Sequence, residues 1–84
     1  MAAFGQQLRS QRESRGLRLV DVALATEVCA HHLAALEHEH LRELAGDPRA
    51  EGYVRTYAEY LGLDSTAVVT AFLREFEQLR PAPV

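Results

Sequence analysis

The chain has no lysine and no tryptophan, a single cysteine, and no apolar run of the roughly 18 to 20 residues a membrane-spanning helix requires. Each absence removes a class of protein. One cysteine, Cys29, excludes an internal disulfide and a cysteine-based zinc site, and it suits a reducing compartment. The N-terminal MAAFGQQLRSQR lacks the apolar core of a signal peptide, so a cytoplasmic chain is expected. Basic charge is also scarce. Nine arginines face twelve acids, for a formal net charge of -3, whereas nucleic-acid domains are usually basic. The deficit is uneven: residues 1–42 carry five Arg against five acids, and residues 43–84 carry four against seven. Phosphate, if bound at all, would have to meet the first third of the chain. At 84 residues and 48% hydrophobic composition the length suits one small domain. Such a domain buries only about 60% of its unfolded surface and has little room for a catalytic cleft.

What is present is helical. Apolar residues recur at intervals of three and four, and no alternating strand pattern occurs. Phe4 and Leu8 mark an amphipathic helix over residues 2–15, closed by Gly16. Leu19, Val22, Ala23 and Thr26 mark a second short helix with Asp21 in its first turn. After a break at Glu27 and Val28, His32, Leu33, Leu36 and Glu37 mark a third over 30–38. HEHLRELAGDP reads as a polar connection anchored by Leu41 and Leu44. Asp47-Pro48 then starts a fourth helix with the stripe Ala50, Val54, Tyr57, Ala58 and Leu61, ending at Gly62. Asp64 caps a fifth, whose broad face of Val68, Val69, Phe72, Leu73, Phe76 and Leu79 runs on to Pro81 and Pro83. The expected fold is all-α, a compact five-helix domain over residues 2–80, with 81–84 as a tail or the start of a linker.

Two short helices separated by about three residues, after a helix ending in Gly-Leu, resemble the Cro and phage-repressor type of helix-turn-helix, from LRSQRESRGLRLVDVALATEV to LAALE. That resemblance implies an ion pair between Arg12, four residues before Gly16, and Glu37 at the end of the recognition helix. The later stretch LRELAGDPRAEGYVRTYAEYLGLD is similar to RodZ-type domains, the cytoplasmic part of a bacterial cell-shape membrane protein. This second resemblance implies a protein-binding adaptor that docks on the actin-like MreB filament largely through its fourth helix. It also implies a place at the cytoplasmic face of the inner membrane, through a transmembrane segment that this chain does not contain. Arg49 stands where family members can carry an aromatic residue.

The alternative function is a DNA-binding regulator of the Xre/Cro type. Matching the phage-repressor pattern puts Leu19, Ala30, His31 and Ala35 at the base-reading positions, and of these only His31 carries a hydrogen-bonding group. Arg9, Arg12, Arg15 and Arg18 could still touch phosphate, with Arg12 expected to be occupied by Glu37; Arg9 and Arg18, with His31 and His32, are the candidates for DNA contact, and binding is expected to be weak and non-specific. For a protein partner the expected site is Tyr53, flanked by Arg49 and Arg55, with Tyr60 two turns on. Tyr57 falls in the core stripe. Self-association as a homodimer through the broad fifth helix is a further alternative. His31, His32, His38 and His40 lack the i, i+3 or i, i+4 spacing of a helical metal site. They read as solvated histidines beside a buried Cys29. No cofactor and no catalysis are expected.

Overall fold

Among the described residues, four with left-handed backbone divide the chain: Gly16 (φ 68°), Glu27 (φ 63°), Glu39 (φ 55°) and Gly62 (φ 75°). Each ends a helix. The computed structural model describes residues 3–44 and 47–77, and among these it shows six helices and no strand: α1 (Phe4–Ser14), α2 (Leu19–Thr26), α3 (Ala30–Glu37), α4 (Leu41–Leu44), α5 (Ala50–Tyr60) and α6 (Ser65–Glu77). At three of the stops the chain reverses through paired backbone bonds that satisfy the last carbonyls. Leu17 N–H reaches Arg12 O, His40 N–H reaches Ala35 O, and Leu63 N–H reaches Ala58 O, at 3.2, 2.8 and 2.9 Å. Glycine takes the left-handed position at no steric cost in two of them. Glu39 occupies it in the third, at a cost of about 1 to 2 kcal/mol for a residue with a side chain.

The fold is all-α, and the five helices expected from periodicity are present. A sixth, α4, is a single turn inside the segment read as a polar connection; its Leu41 and Leu44 are the buried anchors. The start of α5 also differs in detail. Asp47 accepts the Arg49 N–H at 2.9 Å, but it is not the N-cap expected of it: Pro48 and Arg49 form a turn, Arg49 stands at the N-cap without a side-chain cap, and the helix proper begins at Ala50. Asp64 caps α6 through the Ala67 N–H at 3.2 Å. Leu79, Pro81 and Pro83 lie outside the described residues.

The core gathers one stripe from every helix. Phe4 and Leu8 of α1, Val22 of α2, Leu33 and Leu36 of α3, Val54 and Tyr57 of α5, and Val68, Val69 and Phe72 of α6 are all buried. Helices α5 and α6 pack as a hairpin, and α1 closes over α6 with Phe4 edge-on to Phe72, ring centres 5.6 Å apart. Phe76 is half-buried against this cluster, so much of the broad apolar face of α6 is used within the chain, while Leu73 remains exposed. Helices α2 and α3 meet at 119°, within the range of a helix-turn-helix corner. Among the described residues no single helix is long and apolar enough to cross a membrane.

Candidate interaction surface on the second, third and fifth helices

The last turn of α3 puts Glu37 under α1 and against α5, where only 7% of the residue remains exposed. A carboxylate taken out of water needs partners for its lone pairs. Three groups meet it. Arg12 Nε donates at 2.7 Å to Oε2 and Arg12 Nη2 at 3.1 Å to Oε1, a bidentate pairing. The Tyr57 hydroxyl, from the core stripe of α5, donates a hydrogen bond to Oε2. Arg12 Nη1 also donates to the Leu17 carbonyl at 2.8 Å, fixing the turn into α2. The bond to Glu37 raises the Arg12 pKa further. Burial first, and the adjacent carboxylate second, push the Tyr57 phenol well above its usual range. Among the described residues no buried side-chain polar atom lacks a partner.

A second cluster joins the same two helices at the surface. The His32 imidazole stacks on the Tyr53 ring with centres 4.8 Å apart and planes 20° from parallel, and the Arg49 guanidinium carbon lies 6.0 Å from the Tyr53 centroid. Asp47 holds the edge, 4.0 Å from His32 Nε2 and 3.6 Å from Arg49 Nε. The Arg49 backbone N–H above all, then the Tyr53 hydroxyl, hold the Asp47 carboxyl below its usual pKa. Tyr53 is therefore half-buried and partnered, not a free-standing ring. Tyr60 lies seven residues on, about 10 Å along the same flank at 1.5 Å per residue, and is 39% exposed. Arg55 departs from its expected place beside Tyr53. Two residues along a helix turn the side chain by about 200°, which puts Arg55 on the opposite flank of α5.

The residues considered for DNA contact are spread and partnered. Arg9 lies 3.5 Å from Glu13, and Arg18 sits 3.2 Å from Asp21, whose carboxylate also accepts the Arg18 backbone N–H at 2.8 Å. The hydrogen bond from Arg18 lowers the Asp21 pKa. His31 is exposed at the start of α3, with Nε2 3.6 Å from Glu43. On α2, Leu24 is 79% exposed and Val20 also faces solvent. Periodicity contained that signal: the stripe of Leu19, Val22, Ala23 and Thr26 leaves positions 20 and 24 on the other side of α2. Cys29, expected in the core, is exposed, because the chain breaks there to start α3 and Val28 takes the buried position. Among the described residues no group of three His, Cys, Asp or Glu side chains is arranged to hold a metal ion. Sequence reasoning also missed the Tyr57 contribution to Glu37; a tyrosine in a core stripe needs a partner for its hydroxyl, and that requirement was the available clue.

A family model described as a helix-turn-helix domain matches residues 7–68, from α1 into α6. Neither the curated proteins nor the solved structures provide a match to the chain.

Proposed function

The chain belongs to the helix-turn-helix domain family, and from that premise we propose that it is a non-enzymatic protein-interaction module resembling the RodZ cytoplasmic domain, docking through α5 on an actin-like MreB filament. The observation that carries this reading is the exposed make-up of α2 and α3. A DNA reader presents arginine, lysine, asparagine or glutamine from its recognition helix, whereas α3 here presents His31, α2 exposes Val20 and Leu24, and three of the four arginines of the first third, Arg9, Arg12 and Arg18, face carboxylates while Arg15 is exposed. The Tyr53–Tyr60 flank of α5 offers aromatic area of the kind that anchors protein interfaces. In a longer parent protein with a transmembrane segment, the module would sit at the cytoplasmic face of the inner membrane.

Co-sedimentation with MreB filaments tests the assignment. Truncating an interface anchor costs about 2 kcal/mol or more, roughly thirtyfold in affinity. Tyr53→Ala and Tyr60→Ala should therefore weaken pelleting, while His31→Ala leaves it intact, with circular dichroism confirming that all three remain folded. Loss of binding in His31→Ala alone would move the site to the recognition helix. Duplex DNA at about 150 mM salt should bind no tighter than the non-specific range of roughly 10⁻⁴ to 10⁻⁶ M. A site bound at nanomolar affinity would replace the adaptor reading with that of a regulator, and sedimentation of a stable dimer would make self-association the primary role.

A further inference from the structure

His32 is the third residue of α3, and its surroundings differ from those of the histidines beside it. His31 and His40 lie 3.6 and 3.8 Å from the Glu43 carboxylate, and all three side chains are more than half exposed. The His32 side chain is 32% exposed. It overlaps the Tyr53 ring of α5 with centres 4.8 Å apart and planes 20° from parallel, while its Nε2 lies 4.0 Å from Asp47, itself 20% exposed. An aromatic face on one side and a carboxylate at the edge are both surroundings that attract a cation.

We infer that His32 is a positioning residue for the Tyr53 anchor: its imidazole holds the tyrosine ring in one orientation for docking, and holds it more firmly when it carries a proton. The inference rests on the docking surface proposed above and adds its regulation. A neutral imidazole meets the ring only as one aromatic meets another. An imidazolium adds the pull of a cation on the ring face and of a charge on Asp47. The charged and titratable groups around it are His31 of α3, with ring centres 6.1 Å apart, Tyr53 and Arg49 from α5 and its start, and Asp47 from the preceding turn. Arg49 is 78% exposed and drawn to Asp47 at 3.6 Å, so its charge is largely screened. The positive end of the α3 dipole opposes the proton, which keeps the expected effect small. Histidine changes charge between pH 5 and 8, whereas the carboxylate of Asp47 stays ionised over that range. A ring already oriented loses less freedom when a partner covers it. Docking through α5 should therefore tighten as the pH falls.

The test has two arms on the whole chain, each read at pH 6 and pH 8. In the chain alone, the assigned NMR resonances of the Tyr53 ring should move in step with those of the His32 imidazole. His32→Phe keeps an aromatic face and carries no proton, so it should flatten the Tyr53 titration. In co-sedimentation with MreB filaments, the parent should gain about two- to fivefold in affinity at pH 6 over pH 8, the scale of a cation over an exposed ring. The gain is measured relative to His32→Phe, which removes the filament's own response to pH. His32→Ala, which offers no face at all, should bind more weakly than His32→Phe at either pH, with circular dichroism confirming that both are folded. Tyr53 resonances that ignore the His32 titration would sink the inference whatever the partner. If parent and His32→Phe pellet alike at both pH values while Tyr53→Ala still weakens pelleting, the docking surface stands and the role of His32 is lost. If Tyr53→Ala pellets like the parent, the docking surface itself is wrong and the positioning role goes with it.

Discussion

Glu37 and His32 lie five residues apart on one helix, and each ties α3 to α5, yet the two ties are made of different material. Inside, a carboxylate stripped of water is held by a guanidinium from α1 and a phenol from α5. Outside, an imidazole lies flat on a half-buried tyrosine, with an arginine and an aspartate at the edge in contact with solvent. Removing either charged partner of the first is costly, because the charge that remains has lost its counter-ion. The second can exchange any of its contacts for water. Rigid registration of helices and an adjustable binding surface are thus kept apart within one small domain.

The largest effect should come from Glu37→Ala, which leaves Arg12 and the Tyr57 hydroxyl without their partner. Breaking a buried pair from one side costs about 3 to 5 kcal/mol, enough to unfold much of a marginal domain in urea titrations. A change under about 0.5 kcal/mol, the range of ordinary surface substitutions, would erase the distinction between the two ties. Tyr57→Phe keeps the ring in the core and removes only the hydroxyl. It should cost about 1 to 2 kcal/mol, measured in the same titration, because the bidentate arginine remains. His32→Ala should be the mildest, since a stacked ring pair contributes about 0.5 to 1.5 kcal/mol when buried and this one is open to water on one side. A loss of 0.5 kcal/mol or less is expected by thermal melting; a loss equal to that of Tyr57→Phe would mean that the outer tie also registers the helices.

The two ties were not equally legible before the structure. The stripe of Ala50, Val54, Tyr57, Ala58 and Leu61 follows from helical period alone, and so does the turn at Gly62, because both depend on neighbours along the chain. Arg12 and Glu37 are 25 residues apart, and only resemblance to a repressor pattern related them. The Tyr57 hydroxyl is another 20 residues on, and helical period says where its ring goes but not which acceptor the oxygen finds. The outer tie was harder still. Period places Tyr53 at the margin of the stripe, but the stacking of His32 on it depends on how α3 crosses α5, a distance in space that no spacing in sequence encodes. For the same reason Arg55 reads as a neighbour of Tyr53 along the chain and stands across the helix from it. Cys29 was misplaced because a residue before a helix start has no period to assign it a side.

The inner tie also dictates an order of assembly. Its three members lie at positions 12, 37 and 57, so a nascent chain released only as far as the helix-turn-helix corner carries Glu37 with Arg12 available and Tyr57 still to come. Until α5 arrives, the carboxylate has one of its two anchors and the Val54–Leu61 stripe is missing from beneath it. The first three helices excised alone would therefore keep their turn signals and lose the floor they stand on. A fragment ending at Gly46 is accordingly the wrong unit for transplantation into another protein, and a portable piece has to carry α5 together with the α6 that packs against it and against α1.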